Sequence, residues 1–374
     1  MWRFVLCLMS AMSGGSAVAQ VEQGSPNAAF APAFFGQTRA VALPATDVNV
    51  SVFAGGLEFP WGIARLPDGR FLVTEKGGAL KLISENGAVI GSVSGLPAIE
   101  AIRQGGLLDV AVSPDFARDG LVYFTYSKAV RGGVALAAAR GVLQGATLVN
   151  VEDIFVQSPA QRSGQHFGSR IIPVNDGAWI TTGDRGTGAL AQQDNTVGKV
   201  LWFDGQDVSV WSSGHRNIQG AVLRNGELWT VEHGPRGGDE LNRPEQGLNY
   251  GWPVISYGIN YNGADIGSGI ATADGFEAPV YYWDPVIAPG GMGAYSQDGA
   301  FAPWRGDFLI SSLNPGAVVR LKVEQGRIIG EERLLTDVGR VRDLEVLPDG
   351  SVLVLIDAPE ANIVRIQPIG GAVQ

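Results

Sequence analysis

A short turn followed by two β-prone runs recurs six times between residues 66 and 366, and this repeat constrains the fold most strongly. In the clearest copy, Pro67-Asp68-Gly69 precedes Arg70 to Thr74, and Gly77-Gly78 precedes Ala79 to Ile83. Runs of this kind, bounded by Gly, Pro, Asn and Asp, are typical of strands joined by tight turns. The other five turns contain, in chain order, Pro114-Asp115, Asn175-Asp176-Gly177, Asn225-Gly226, Trp304-Arg305-Gly306 and Pro348-Asp349-Gly350.

The spacing of these turns predicts the fold class. Successive turns lie about 45 to 60 residues apart, except for one interval of about 80 residues. No segment keeps a helical period for more than about three turns, and 53 glycines and 20 prolines suit many short strands. Six units of about four strands each predict an all-β, six-bladed β-propeller, with seven blades as the alternative. In such a ring the loops between blades gather at one mouth of the central channel.

The first nineteen residues have the pattern of a secretory signal peptide. Arg3 supplies a positive charge, Phe4 to Met12 an apolar region, and Ala17-Val18-Ala19 a small-residue cleavage site. The apolar run is too short to span a bilayer. We therefore expect an exported protein, periplasmic or secreted, without a membrane span after cleavage near Ala19; an uncleaved anchor is the alternative. Cys7, the only cysteine, would leave with the signal peptide, so the mature protein would have no disulfide.

The rest of the chain divides into three predicted parts. Residues 20–46 are rich in Ala and Pro and predict a flexible N-terminal arm, pinned where its phenylalanines dock. Residues 47–369 form the predicted propeller domain, and residues 370–374 form a C-terminal tail. The formal net charge of −10 argues against a nucleic-acid partner.

The stretch from Gly214 to Pro253 combines two of the three histidines with arginines, acids and frequent glycines. Backbone carbonyls at its Gly-Pro turn, together with Asp239 and Glu240, are the hard oxygen ligands that suit Ca²⁺. Arg216 has the fork geometry that holds a carboxylate through two parallel hydrogen bonds. A glycine-rich surface loop with a satisfied ion pair is the alternative interpretation.

The three histidines, His166, His215 and His233, are candidate general bases, because imidazole titrates near neutral pH. The alternative for each is a hydrogen-bonded loop histidine. No pair of them has the spacing of a zinc site. Asp184 follows a predicted strand, where it would either orient a histidine or cap a turn.

Arg340 and Arg342 lie on one face of the chain if it is extended there. Two neighbouring guanidinium groups repel each other unless an anion lies between them. Asp343 or Asp337 would supply that anion in an ordinary ion pair. A ligand with several carboxylates is the other possibility.

In combination, the motifs resemble those of the soluble, pyrroloquinoline-quinone-dependent aldose sugar dehydrogenases, the glucose/sorbosone dehydrogenase family. The resemblance covers about residues 59–357. It rests on Phe59-Pro60-Trp61-Gly62, Gln104-Gly105-Gly106-Leu107-Leu108-Asp109, Gln165-His166-Phe167-Gly168, Gly183-Asp184-Arg185-Gly186, Gly214-His215-Arg216-Asn217, Glu232-His233-Gly234-Pro235-Arg236-Gly237-Gly238-Asp239-Glu240, Asn249-Tyr250-Gly251-Trp252-Pro253, Tyr257-Gly258-Ile259-Asn260-Tyr261 and Arg340-Val341-Arg342-Asp343.

The resemblance implies a six-bladed propeller that binds the quinone and Ca²⁺ at its mouth. It implies that His166 takes the proton of the sugar's C1 hydroxyl and that Asp184 orients this base. The implied cofactor contacts are Gln104, Arg216, Asn217, Tyr261, Arg340 and Arg342. The implied metal ligands are the carbonyls of Gly234 and Pro235 for the catalytic Ca²⁺, and Glu240 and Tyr250 for a second, structural Ca²⁺.

The function implied by the resemblance is that of an exported quinoprotein that oxidises aldose sugars at C1 to lactones. Electrons would pass to an acceptor that the sequence does not identify. Asn314 stands where some members of the family carry a lysine against a cofactor carboxylate. The alternatives are a Ca²⁺-dependent lactonase on the same fold and a propeller that binds sugars or proteins without catalysis.

Overall fold

A computed structural model describes residues 19–296 and 298–369 of the chain. The predicted signal peptide, apart from Ala19, and the predicted tail 370–374 lie outside the described residues. Within them, twenty-four strands form six four-stranded antiparallel sheets. The first strands of the sheets contact each other in a closed ring. The predicted six-bladed β-propeller is therefore confirmed, and the seven-bladed alternative is excluded.

Each sheet is one blade, and its strands are given from the channel outwards. The blades are β2 (Pro60–Arg65), β3 (Phe71–Glu75), β4 (Ala79–Ile83) and β5 (Val89–Val93); β6 (Leu107–Val112), β7 (Leu121–Val130), β8 (Gly133–Gln144) and β9 (Thr147–Val156); β10 (Gly168–Val174), β11 (Gly177–Thr182), β12 (Val200–Phe203) and β13 (Val208–Ser212); β14 (Ile218–Arg224), β15 (Glu227–Glu232), β16 (Asp239–Asn242) and β17 (Tyr281–Trp283); β18 (Pro289–Ala294), β19 (Phe308–Ser312), β20 (Ala317–Glu324) and β21 (Arg327–Leu334); and β22 (Val341–Val346), β23 (Val352–Ile356), β24 (Ala361–Pro368) and β1 (Val48–Leu57). Three short helices, Phe116–Asp119, Gly188–Gln192 and Ala302–Trp304, lie between strands.

All six turns found in the sequence join the first strand of a blade to its second strand. Because each blade is an antiparallel meander, these turns share one face of the ring. The loops after second strands and the loops between blades then share the opposite face. The interval of about 80 residues is explained by the long segment 243–280 between β16 and β17.

The ring closes with a strand from the start of the domain. Strand β1 pairs antiparallel with β24, so that Val50 lies opposite Ile366. The last blade therefore takes its outer strand from the N-terminal end and its three other strands from the C-terminal end. This pairing removes an open edge at the junction of the ring.

The hydrophobic core lies between neighbouring blades. In the first two blades, for example, Leu72, Leu82, Val110 and Phe124 pack in one buried cluster. Alternation along each strand sends apolar side chains to both faces, because each blade is covered by a blade on either side. Each such side chain contributes about 1.5–3 kcal/mol when fully buried.

A buried ion cluster fills the channel below the face that carries the blade-to-blade loops. Arg170 donates from Nη1 to Asp109 Oδ1 (2.8 Å) and from Nη2 to Asp343 Oδ1 (2.9 Å). Its guanidinium also lies over the ring of Trp61, 4.7 Å from the centroid. The cluster joins side chains from β2, β6, β10 and β22, so it links four first strands through the guanidinium of Arg170.

Glu345 lies at the other end of the channel and gives a pH prediction. Burial, followed by the charge of Asp343, raises the pKa of Glu345 from its usual value of 4.5 to about 8. Between these two values the unfolded chain releases a proton that the folded chain keeps, so the free energy of unfolding falls as pH rises. Glu345→Gln removes this titration. Its stability relative to the parent protein should increase from about pH 4.5 to about pH 8 and then level off, as measured by urea unfolding.

The exposed carboxylate of Glu324 provides the matched control for that measurement. Glu324→Gln should shift the free energy of unfolding by a small amount that does not grow over the same pH range. Parallel pH profiles for Glu345→Gln and the parent protein would contradict the assignment.

The predicted arm, residues 20–46, lies against the fourth and fifth blades. Gln23 Nε2 donates to the buried Glu331 Oε2 (3.1 Å), and the Gln37 side chain is fully buried. Phe30 docks as predicted, against the buried cluster of Tyr257, Ala271 and Tyr282, whereas Phe35 is 98% exposed. Polar contacts hold much of the rest of the segment. Among the described residues, no helix has the length and hydropathy that a membrane crossing needs.

Candidate functional site at the channel mouth

A polar cavity of about 390 Å³ opens at the mouth of the channel, on the face opposite the six repeated turns. Its walls come from first strands, from the segments that lead into them and from the loops that follow second strands. The exception is Tyr261, which comes from the long segment 243–280. The lining residues are Phe59, Trp61, Lys76, Arg103, Gln104, His166, Arg216, Asn217, Gln219, His233, Tyr261, Leu313, Arg340, Arg342 and Asp357.

The structure brings together most of the residues singled out in the sequence. The predicted base and all six predicted cofactor contacts line this one cavity. They are His166, Gln104, Arg216, Asn217, Tyr261, Arg340 and Arg342. Asp184 lies directly behind His166 rather than in the wall. The predicted gathering of blade-to-blade loops at one mouth is therefore observed.

His166 and Asp184 form a hydrogen-bonded pair, with 2.7 Å between His166 Nδ1 and Asp184 Oδ1. Both interpretations of Asp184 hold, because the same oxygen also accepts from the Gly186 backbone N–H (2.7 Å) and closes a turn. The other oxygen, Oδ2, accepts from Trp252 Nε1 (2.7 Å). The carboxylate thus has fixed donors on both oxygens.

The charge of Asp184 determines which nitrogen of His166 carries the proton. Burial raises the pKa of Asp184, but the hydrogen bond from His166 and the charges of His166 and Arg216 outweigh burial and leave the pKa lowered. The carboxylate is therefore ionised near neutral pH and accepts a proton from Nδ1. In a neutral His166 this arrangement would place the lone pair on Nε2.

The backbone at His166 is held in an unusual conformation. Its φ is 48°, in the left-handed region that costs an ordinary residue energy. The side chain of Gln104 supports it, because Oε1 accepts from the His166 backbone N–H (2.7 Å). Gly168 follows with φ 71°, and a Cβ there would lie 2.5 Å from the carbonyl carbon of Thr182. The Gly in Gln-His-Phe-Gly is thus required by close packing of the loop.

Five cations and one acid face the cavity. Arg340 Nη2 and Arg342 Nη2 both donate to Asp357 Oδ2, at 3.1 and 2.9 Å. The prediction of Asp343 or Asp337 as their partner was wrong. Asp343 follows Arg342 in an extended strand and so points to the opposite side. The other cations are Lys76, Arg103 and Arg216, and the excess of positive charge favours an anionic ligand.

Two of these arginines keep unpaired donors in the protein. Arg216 Nε and Arg342 Nε are buried and have no hydrogen-bond partner among the described residues. Among the described residues, the guanidinium of Arg216 donates only from Nη1, to the carbonyl of His233 (3.0 Å), and forms no ion pair. Burial, then the neighbouring Arg340, lowers the pKa of Arg342 against the opposing effect of Asp357. A ligand with several carboxylates would accept hydrogen bonds from the unpaired donors and would offset the repulsion between the arginines. Pyrroloquinoline quinone, with three carboxylates, therefore fits this donor set.

The predicted ligands of the catalytic Ca²⁺, Gly234 and Pro235, line an adjoining cavity of about 560 Å³. This cavity shares His233 and Tyr261 with the first one. Among residues 19–296 and 298–369, neither carbonyl oxygen accepts a hydrogen bond, which leaves both lone pairs for a cation. The turn is fixed because Gly234 N donates to Asp239 Oδ1 (2.7 Å).

Asp239 was also a candidate metal ligand, and the structure uses it differently. Its Oδ2 accepts from the backbone N–H groups of Ile287 (2.8 Å) and Ala288 (2.6 Å). Burial nevertheless raises the pKa of Asp239 to about 7. Asp239 therefore supports the turn at residues 233–235 from behind.

Glu240 and Tyr250, the predicted ligands of the second Ca²⁺, lie on two sides of a buried His215–Glu232 pair. Glu240 Oε2 and Glu232 Oε1 accept from the same Asn242 amide, at 3.1 and 3.0 Å. The ring of Tyr250 stacks on His215, 4.8 Å between centroids. Burial, then the charge of Glu232, raises the pKa of Glu240 well above its usual range. A cation beside these two carboxylates would offset that cost.

Two of the histidines, His215 and His233, fit the alternative of a hydrogen-bonded histidine better than a role as general base. His215 is fully buried and bonds through Nδ1 to Glu232 Oε1 (2.8 Å) and through Nε2 to Ser212 Oγ (2.8 Å). His233 bonds to Gln219 Oε1 (3.0 Å). Burial, then Arg216 and Arg342, lowers the pKa of His233 well below its usual value, so it is neutral.

Sequence reasoning missed several residues of the site, namely Lys76, Arg103, Gln219, Asp357 and Trp252. Lys76 directly follows the strand of the clearest repeat, and Asp357 follows the matching strand of the last repeat. Loops after second strands lie on the face opposite the repeated turns. Once the site was assigned to that face, the positions of Lys76 and Asp357 could have identified them as candidates. Trp252 stands in one of the motifs that carry the resemblance, but no role was predicted for its side chain, and the long segment 243–280 has no counterpart in the other blades.

Comparisons with known proteins agree with this geometry. Residues 57–365 match the family described as glucose/sorbosone dehydrogenase. The aldose sugar dehydrogenase YliI of Escherichia coli is 35% identical over 353 residues, which cover 87% of this chain and 94% of that protein. The quinoprotein glucose dehydrogenase B of Acinetobacter calcoaceticus is 24% identical over 85% of this chain and 87% of its own length.

A solved structure of the soluble aldose sugar dehydrogenase from Escherichia coli, in its apo-form, superposes with a TM-score of 0.82. It is 33% identical and covers 86% of this chain and 100% of its own. The match of nearly the whole domain, in both sequence and fold, confirms the resemblance drawn from the motifs. This chain belongs to the glucose/sorbosone dehydrogenase family.

Proposed function

We propose that this protein oxidises aldose sugars at C1 to lactones, with pyrroloquinoline quinone held in the cavity at the channel mouth. The observation that carries the proposal is the ionised Asp184 behind His166, which leaves His166 Nε2 as a free base beside a cationic cavity. When bound, the quinone would supply the hydride acceptor and Ca²⁺ a Lewis acid.

The protein's own contribution is to hold the cofactor and to remove one proton. Arg216, Arg340 and Arg342 would hold the carboxylates of the quinone, with Gln104, Asn217 and Tyr261 beside them. The carbonyls of Gly234 and Pro235 would hold Ca²⁺.

Oxidation at C1 takes hydride from the C–H bond and a proton from the C1 hydroxyl, and leaves a C=O double bond in the lactone. His166 Nε2 would accept that proton, and Asp184 would stabilise the imidazolium that results. General-base help of this kind contributes about 10²- to 10⁴-fold to the rate. Because the base lies in the wall of the cationic cavity, it would act beside a bound anionic cofactor.

The relatives support the coarse chemistry, since one is named an aldose sugar dehydrogenase and another a quinoprotein. The lactonase alternative needs several side-chain carboxylates around one ion. No group of three or more His, Cys, Asp or Glu side chains in residues 19–296 and 298–369 is arranged to hold a metal. A non-catalytic propeller would need neither the ionised dyad nor the unpaired arginine donors.

We also propose export after cleavage near Ala19, so that the mature enzyme would meet sugars outside the cytoplasm and pass electrons to an acceptor there.

The test of the proposed function is reduction of an artificial dye by the purified mature protein. It should be loaded with Ca²⁺ and the quinone and given a panel of aldoses. Reduction with several aldoses is expected, and no reduction with any of them would overturn the proposal.

A further inference from the structure

Trp252 contacts both the acid behind the base and an arginine of the cavity. Its indole N–H donates to Asp184 Oδ2 (2.7 Å), and the guanidinium of Arg216 lies 5.3 Å from the centre of its ring. A backbone hydrogen bond also links the two residues, because Asp184 N donates to the carbonyl of Arg216 (2.7 Å). One side chain thus joins His166–Asp184 to Arg216.

Among the described residues, Asp184 Oδ2 accepts a hydrogen bond only from Trp252. Asp184 is 1% exposed, so in the parent protein bulk water does not take the place of this donor. Trp252 itself is only partly buried, unlike the core residues Trp229, Trp283 and Trp304. Its own backbone is fixed, since Trp252 N donates to Gly214 O (2.9 Å) and Trp252 O accepts from Gln192 Nε2 (2.7 Å).

We propose that Trp252 is a positioning residue for the base: its N–H fixes the Asp184 carboxylate and sets how strongly that carboxylate holds a proton on His166. For its effect on turnover, the inference rests on the proposed function. A donor on Oδ2 disperses the negative charge of the carboxylate. Without it, Oδ1 becomes a stronger acceptor for His166 Nδ1–H, which favours the protonated imidazole. Loss of the N–H therefore makes His166 hold its proton to higher pH.

Other titratable and charged groups line the same cavity as His166 and would remain in place after a substitution at Trp252. These are Lys76, Arg103, Arg216, His233, Arg340, Arg342 and Asp357. Trp252→Phe removes the N–H but keeps an aromatic ring near Arg216. The change thus isolates the hydrogen bond from the stacking.

The first test needs neither quinone nor sugar. The chain has three histidines, so their ¹⁵N signals are few and His166→Gln assigns the relevant one. In the apo-protein, Trp252→Phe is expected to move the titration midpoint of His166 to higher pH and to leave His215 unchanged. Trp283→Phe is the matched control, because it removes an indole N–H from another buried carboxylate, Glu331 (3.1 Å). An unchanged His166 midpoint in Trp252→Phe overturns the proposal, whether or not the protein oxidises sugars.

The second test asks whether the effect passes through Asp184. In the loaded enzyme, Trp252→Phe is expected to lower kcat about tenfold and to move the acid limb of its pH profile upwards. In an Asp184→Asn background the same change should cost less than about twofold, because the acceptor is already altered. Equal losses in both backgrounds would show a general structural effect and would overturn the proposal. Trp252→Gln, which restores an N–H donor, should return the His166 midpoint towards that of the parent protein.

Discussion

Replacing His166 by glutamine is expected to lower kcat about 10²- to 10⁴-fold with any aldose that the protein oxidises. Glutamine keeps polar atoms in the wall of the cavity, but it has no nitrogen that accepts a proton near neutral pH. The loss should fall on kcat rather than on sugar KM, because the proton moves during the chemical step. Steady-state kinetics of the quinone-loaded protein would measure both values.

Binding of the quinone gives the control for that variant. Among the described residues, the His166 ring has a hydrogen bond with Asp184 and none with an arginine of the cavity, so His166→Gln should bind the quinone within a few-fold of the parent protein. A variant that binds the cofactor normally and also turns over normally would contradict the role of His166 as base. A variant that loses quinone binding would show instead that His166 belongs to the cofactor site.

The second large effect is expected for Arg216→Met. Arg216 is 7% exposed, forms no ion pair with a described residue and keeps a buried, unpaired Nε. The substitution therefore leaves no carboxylate without its partner. Hydrogen bonds to charged groups contribute about 1.5–3 kcal/mol, so the Kd of the quinone should rise about ten- to hundredfold. Titration of the apo-protein with the quinone, followed by absorbance, measures this change.

Arg224→Met is the matched control for Arg216→Met. Arg224 lies at the far end of β14, where its Nε donates to the carbonyl of Gly306 (3.1 Å). The quinone Kd should be unchanged in that variant. Equal quinone affinity in Arg216→Met and the parent protein would remove Arg216 from the cofactor site.

The repeat in the sequence was enough to predict the blades, because each turn and the strand after it are local features. The predicted run Ala79 to Ile83 is β4 as observed, and Arg70 to Thr74 is shifted by one residue from β3. The pairing of β1 with β24 was not predictable, because nothing local in Val48–Leu57 indicates a partner some 300 residues away. The contacts of the arm at residues 20–46 were missed for the same reason.

Residues of the site were predicted where the residue type alone indicates a chemical role. His166 and Asp184 were identified as possible partners, and the loops of the propeller brought them together. The ordinary ion pair considered for Arg340 and Arg342 named the wrong acid, since their partner in the protein is Asp357, in the loop between β23 and β24. Their contact with the cofactor stays a prediction. Asp343 instead pairs with Arg170 inside the channel. Neighbours in sequence alternate sides along a strand, so the nearest acid in the sequence was the least available one.

The most direct test of the account is to add pyrroloquinoline quinone and Ca²⁺ to the mature apo-protein and then to add glucose, with absorbance recorded throughout. We predict saturable binding of the quinone, followed by a sugar-driven bleaching that is absent in His166→Gln. Failure of the apo-protein to bind the quinone in the presence of Ca²⁺ would contradict it and would favour a propeller that binds its ligands without catalysis.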